Sequence, residues 1–501
     1  MLKYTGHPLV DVGAATLAAF EATRRMTPEQ LTSEQLDRST AYIESHYGVE
    51  PFSGYIRVLL PNSGYVNAGP EKRKAYIDLM LHGYKSNPKP IGRPCSFCGD
   101  EATSLAFRQN IPLLSGEQAF NFFAEGQKGL PVCHKCLLSI QAFPLGSVKC
   151  NGKALIVHSA NPDLTYEYAR RFSIRNREFA GLGEDVRFPK TMLIEILLEI
   201  YREQTTTESS NGALTAYHLT NFGTNADIDI YHLPLSSIDF IRIAKTGKYK
   251  DSWNSIVDRA WEVEKTEGAV KKPRRTSSKD KPTKPPKKKV SHRNFFYEDL
   301  FDLPDNAGRF LRVYFLRLPL SRGFKGSDSQ VNSNTTEGEE KTKKSKTKIN
   351  PDPRYGYSFK SDAGIVSWNL TSLFLRKVMN MDKVRIDSIR QLADRLVDYV
   401  QHQDARLFSK LFSIRRYGDL SLELLKADKQ FVQAGQAPLF TFRQFVDIFE
   451  ESEDMPRADW SLARDLVLVR MIEQLHQAGW WSEHNKELEE ATREVSELDQ
   501  I

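Results

Sequence analysis

Four cysteines in two Cys-x-x-Cys knuckles are the residues of this chain best suited to chemistry: Cys95 and Cys98 in RPCSFCGD, and Cys133 and Cys136 in PVCHKCLL. They are four of only five cysteines in 501 residues, and 34 residues separate the two pairs. A two-residue gap lets one tight turn aim both sulfurs at a single ion, and four thiolates from two such turns match the closed tetrahedral set of a structural Zn2+ site. Gly99, directly after Cys98, suits such a turn. Catalytic zinc keeps an open coordination position, so four cysteines argue against metal catalysis. Two alternatives stay open at this level. His134, inside the second knuckle, can replace one thiolate; and a redox dithiol is possible, although neither motif sits in a recognisable strand-to-helix redox context. Cys150 falls in the first strand of a hairpin, SVKC-NG-KALIVHS, and reads as a buried thiol.

No second chemical constellation accompanies the knuckles. The sequence has no phosphate-cradling Gly-x-x-x-x-Gly-Lys-Ser/Thr, no Gly-x-Ser-x-Gly elbow and no His-Glu-x-x-His. Its 11 histidines are scattered, and His158, His218 and His232 near expected strands read as core or edge residues. The chain is therefore expected not to be an enzyme. Two stretches suit contact with nucleic acid. In LPNSGYVNAGPEKRKAY, Asn62 and Asn67 can bond base edges, Tyr65 can stack, and Lys72, Arg73 and Lys74 can meet phosphates. Arg108, Gln109 and Asn110, between the knuckles, form the second group. The plainer reading of the first stretch is a surface turn leading into a helix from about Pro70 with a solvated basic first turn, and a similar reading holds for the second group.

The elements that must position these residues follow from composition and periodicity. With 40% hydrophobic and 27% charged residues the chain is of the folded, soluble class. No run approaches the roughly 18 to 20 apolar residues that span a bilayer, and the start lacks a basic region followed by a long apolar run, so a cytoplasmic protein is expected. The fold class expected is α+β: a mixed N-terminal domain over 1–263 with the zinc-binding insertion at about 90–140, followed by an all-α C-terminal bundle over 379–501. KTMLIEILLEIYREQ has helical spacing, DIDIYHLPL alternates like a strand, and RFLRVYFLRLPL (309–320) has strand length. DSIRQLADRLVDYVQHQ puts Ile389, Leu392, Leu396 and Val400 on one helical face, with Asp387 or Ser388 as N-cap. That helix, with ARLFSKLFSIRR, RQFVDIFEESED and the DWSLARDLVLVRMIEQLHQAGWW helix capped by Asp459, suggests a four- or five-helix bundle.

Charge is unevenly placed. Residues 264–293 hold 12 basic residues against three acidic, 322–350 hold seven against four, and 379–501 hold 16 against 23. The first two tracts, rich in Lys, Pro and Ser, read as a basic linker and a mobile insertion in the body segment 294–378. The overall charge of +6 thus resides mainly in a linker, and any nucleic-acid surface on the folded parts must be a local patch.

The opening MLKYTGHPLVDVGAATLAAF, the PCSFCG knuckle and the block NIPLLSG…FNFFAEGQKGLPVCHKCLLSIQAFPLG…CNGKALIVHS resemble the CXXC–CXXC subfamily of large subunits of type I-B CRISPR Cascade complexes. The resemblance runs through the N-terminal 260 residues and, more loosely, the C-terminal helices. It implies a non-catalytic organiser that holds the 5′ end of the CRISPR RNA, inspects the protospacer-adjacent motif (PAM) in double-stranded target DNA, and helps open the R-loop. It also implies backbone, RNA-processing and small subunits as partners, and recruitment of a separate helicase–nuclease, with no role at a membrane. In this subtype a small subunit resembling the C-terminal helices can arise by internal translation, for which Met379 and Met381 in VMNMD are the start candidates. The resemblance assigns no PAM-reading position residue by residue. The rival readings are a zinc-containing nucleic-acid-processing enzyme and a zinc-stabilised scaffold.

Overall fold

The first helix shows how closely the N-terminal core is packed. In α1 (Pro8–Ala19), Pro8 opens the helix with the fixed φ that suits its first turn, and every residue from Leu9 to Ala19 is buried. Small side chains make this possible: a Cβ on Gly13 would lie 1.7 Å from the Ser139 carbonyl oxygen, so only glycine lets the neighbouring helix approach. The computed structural model describes residues 1–22, 24–86, 88–117, 128–178, 185–203, 212–221, 226–263, 293–320, 352–450 and 460–498. The tracts at 264–293 and 322–350 lie outside the described residues, apart from Arg293. Described residues fall into two compact units, 1–238 and 239–501.

In the first unit α1 is followed by α2 (Ser33–His46), α3 (Phe52–Leu59), α4 (Gly64–Asn67), α5 (Pro70–Leu81) and α6 (Gly83–Ser86). A capping box between Thr32 and Gln35 starts α2, satisfying two end groups that the helix itself leaves open. Two short strands, β1 (Ser104–Ala106) and β2 (Leu130–Val132), then pair antiparallel and lead into α7 (His134–Ala142), which packs on α1. The main sheet is antiparallel with order β3-β4-β5-β6: β3 (Val148–Cys150), β4 (Lys153–Ser159), β5 (Leu214–Thr220) and β6 (Asp227–Leu233). Asn151 and Gly152 turn the β3–β4 hairpin with φ of +46° and +78°, the left-handed pair the sequence calls for. Cys150 is fully buried in β3, as expected for a strand thiol. Helices α8 (Pro162–Glu178) and α9 (Pro189–Glu203) complete the unit, and the division between the units falls within α10 (Leu235–Ala244).

The second unit continues with α11 (Lys250–Arg259), α12 (Phe295–Asp299), α13 (Ala307–Phe310) and α14 (Trp368–Lys377). The segment expected as a strand at 309–320 is helical instead: α13 runs into a wider π turn over Leu311–Phe315. Leu311, Val313, Tyr314 and Phe315 are all buried, and Phe310 stacks on Phe374 with centroids 5.2 Å apart. With most of its residues buried, this run carries no clear period to separate helix from strand, and the aromatic core decides. Six helices follow: α15 (Lys383–His402), α16 (Arg406–Ser413), α17 (Tyr417–Gln433), α18 (Phe442–Phe449), α19 (Trp460–Gln477) and α20 (Asn485–Leu498). Ile389, Leu392, Leu396 and Val400 are buried together on α15 as expected, and α15 packs along α19. The cap lies one turn earlier than Asp387 or Ser388: the Asp382 carboxylate accepts from the Val384 and Arg385 amides. Asp459 lies outside the described residues. Among the described residues no helix is long and apolar enough to cross a membrane.

Candidate metal centre

Each knuckle is built by a different local device. Around the first, Ala102 N–H donates to the Arg93 carbonyl at 2.8 Å and Cys95 N–H to the Asp100 carbonyl at 2.6 Å, so residues 93–102 form a narrow hairpin. Its tip is the Cys95–Cys98 turn, closed by Gly99 N–H on the Cys95 carbonyl at 3.0 Å, with Gly99 at φ +77°. The second knuckle is a helix start. Cys133 is the N-cap of α7, and its sulfur accepts from the Cys136 amide at 3.4 Å. Strand pairing brings the two together: Ser104 lies opposite Val132 in the β1–β2 ladder, and Ser96 N–H donates to the Pro131 carbonyl at 2.9 Å.

All four sulfurs therefore lie within 4.8 Å of one another, and those of Cys98 and Cys133 are 3.6 Å apart. Metal–sulfur bonds of about 2.3 Å at tetrahedral angles put sulfurs about 3.8 Å apart, so this set fits one tetrahedral, thiolate-preferring cation. Cys95, Cys133 and Cys136 are buried and Cys98 is half-buried, so a cation bound there has little access to solvent. Without a cation the thiols compete for protons. Hydrogen bonding from Cys133, then from Cys136, pushes the Cys95 thiol far below its ordinary range, whereas bonding to Cys133 and Cys95 pushes Cys136 far above it. A divalent ion displaces those protons, which couples binding to pH and to folding.

His134 does not join the sulfurs; among the described residues the group able to hold a metal is the four cysteines, and the His134 Cβ packs 2.6 Å from where a Cβ on Gly83 would stand. Two cations flank the cluster without having been singled out in the sequence. Lys3 and Lys135 reach the Asp100 carboxylate at 3.0 and 3.6 Å. The Lys3 ammonium is held above its ordinary pKa, first by its hydrogen bond to Asp100 and to a lesser degree by the charges of Cys98 and Cys136. Lys135 follows a knuckle cysteine by two residues, but only the fold brings Lys3 to it.

The residues singled out for nucleic acid divide in two. Asn62, Asn67, Lys72 and Lys74 are exposed, with Asn62 at φ +66° in the turn after α3. Tyr65 is not available to stack: it is buried, its ring 5.3 Å from Tyr47 and 5.2 Å from Tyr76, because the apolar face of this turn points inward. Arg73 is half-buried and reaches the Glu44 carbonyl near the end of α2 at 3.5 Å. Asn110 is buried too; its side chain accepts from Phe107 N–H at 3.0 Å, and its carbonyl accepts from Gln141 at 2.8 Å. Gln109 is half-buried and donates to Glu117.

The two groups are nevertheless neighbours. Tyr76 donates its hydroxyl to the Gln109 carbonyl at 2.7 Å. Arg108 donates to the Asn221 carbonyl at 2.7 Å, while the Asn221 amide N–H bonds the Val58 carbonyl at 2.8 Å and its side chain that of Leu59 at 3.3 Å. Asn221 thus clips Arg108 to the end of α3, just before Asn62. Nothing local in TNFGTN signals this long-range clip. Met379 and Met381 lie in the connection between α14 and α15, immediately before the Asp382 cap. No family model, no curated protein and no solved structure matches this chain.

Proposed function

We propose that this chain is the non-catalytic large subunit of an RNA-guided type I-B CRISPR Cascade complex, stabilised by a structural Zn2+ on Cys95, Cys98, Cys133 and Cys136. The observation that carries the reading is that the segments bearing the family resemblance, α1 and the two knuckles, build one unit around the four-sulfur cluster. Four thiolates leave the ion no open position, so it organises structure rather than reacting. In guided systems base pairing reads the long sequence, while protein reads a short duplex motif and shape. Asn62, Asn67, Lys72 and Lys74, exposed beside the Asn221-clipped Arg108, supply amides for base edges and ammonium groups for phosphates. The partners are CRISPR RNA, PAM-bearing duplex DNA, the other Cascade subunits and the helicase–nuclease. Met379 and Met381, just ahead of the α15 cap, allow a second product of about 120 residues carrying α15 to α20.

Duplex binding by the chain assembled with guide RNA and its partner subunits tests this reading. Asn62→Ala with Asn67→Ala is expected to lower discrimination between PAM-bearing and scrambled duplexes by about tenfold, since a good base contact contributes about 1–3 kcal/mol. Lys72→Gln with Lys74→Gln should weaken both duplexes alike and flatten the salt dependence. Absence of any guide-dependent association overturns the assignment; unchanged discrimination in the asparagine variant removes the loop from it.

A further inference from the structure

Three charged side chains stand together on one side of the four-cysteine cluster. Lys3, in the segment before α1, reaches one oxygen of the Asp100 carboxylate at 3.0 Å, and Lys135, in the first turn of α7, reaches the other at 3.6 Å. Lys3, Asp100 and Lys135 line one small cavity with Cys98 and Cys136. All three side chains are well exposed, and exposed ion pairs of this kind contribute little to folding. Stability therefore does not account for their placement, whereas charge does. Four thiolates around one divalent ion leave two negative charges uncompensated. Such an excess is costly away from water unless cations lie beside it, and Cys136 is buried while Cys98 is half-buried. Asp100 has the wrong sign to compensate the thiolates itself, but it pairs with both ammonium groups and so holds them at the cavity.

We propose that Lys3 and Lys135, tethered by Asp100, are the charge-compensating partners of a thiolate-bound Zn2+ and govern how tightly and how long the ion is held. Lys135 comes with the second knuckle, whereas Lys3 lies 97 residues from Asp100 and arrives only when the start of the chain docks beside the first knuckle. Metal retention is thereby tied to the packing of the segment that leads into α1. The inference rests on the metal reading of the four cysteines and is independent of the Cascade assignment.

Metal competition on the full chain tests it, with Zn2+ and Co2+ titrated against a chromogenic chelator at fixed pH. Lys3→Gln with Lys135→Gln should lower zinc affinity about tenfold or more, as loss of outer partners does at other metal sites, and should speed zinc release in proportion. The Co2+ absorption of this variant should keep the wild-type form, since the sulfurs still converge, and its affinity deficit should shrink as salt rises. Lys3→Arg with Lys135→Arg should hold zinc as the wild type does, because the charges are kept. Asp100→Asn should weaken binding even though it removes a negative charge beside the cluster, because the ammonium groups lose their tether. A wild type that takes up no metal overturns the metal reading and this inference together. A metal-binding wild type matched by the glutamine variant, a deficit that persists unchanged at high salt, or an Asp100→Asn chain that binds more tightly overturns this inference alone.

Discussion

The two units each centre on buried charge, and they stabilise it by different means. In the first, four sulfurs from two knuckles converge within 4.8 Å of one another, a group that could hold a metal ion. In the second, Arg317 is fully buried against Asp362, which accepts from its Nε at 3.1 Å and its Nη2 at 2.7 Å. The Arg317 guanidinium lies 3.5 Å from the centre of the Tyr357 ring, and Arg259 reaches the other Asp362 oxygen at 3.4 Å. The contrast teaches what each device tolerates. An ion pair can be replaced by apolar residues of similar volume with little loss, because both desolvation penalties disappear with it. A thiolate cluster cannot be simplified in that way, since all four sulfurs would share one ion and removing one ligand opens the whole set.

Emptying the metal site is the strongest way to break this comparison. Structural zinc contributes about 10 kcal/mol or more to the folding of small zinc modules, which rivals the roughly 5–15 kcal/mol stability of a whole domain. Chelation, or Cys95→Ser with Cys136→Ser, should abolish amide-exchange protection across 93–106 and 130–142. Protection in α15 and α19 should persist. Elemental analysis of the purified chain should give one zinc, and none in the variant. Full protection of the hairpin in metal-free protein would show that hydrogen bonds alone hold the knuckles.

The ion pair supplies the next effect. Asp362→Ala leaves the Arg317 guanidinium buried and uncompensated, and should cost the second unit about 3–5 kcal/mol in denaturant titration. Arg317→Met combined with Asp362→Leu should recover most of that loss. If the double variant is as unstable as the single, the pair holds its segment by geometry that apolar packing cannot supply. That outcome would erase the difference between the two units.

How much of this was legible in the sequence depends on how local each cause is. The knuckles, the Asn151-Gly152 turn and the buried face of α15 are written in residues at most a few turns apart, and all three stand in the structure. The 309–320 segment was not legible, because its run of apolar residues between arginines fits either element and the choice rests on partners such as Phe374. Tyr65 and Asn110 looked like surface chemistry from their neighbours' polarity, yet each serves the core. Their fates are set by Tyr47, Tyr76 and Gln141, residues that no nearby spacing couples to them.

The smallest effect separates the units by pH. His7 precedes α1, its ring 4.6 Å from that of Phe97. Burial lowers the His7 pKa; the Asp11 carboxylate opposes this and His158 adds to it. The unfolded chain therefore takes up a proton at about pH 6.5 that the folded chain still refuses. Stability is fully present above that value and is lost as the pH falls toward the folded pKa, at no more than about 1.4 kcal/mol per pH unit. His7→Leu should flatten melting temperature against pH between about 6.5 and 5. A variant that keeps the wild-type slope would move the pH response of the first unit away from the start of α1.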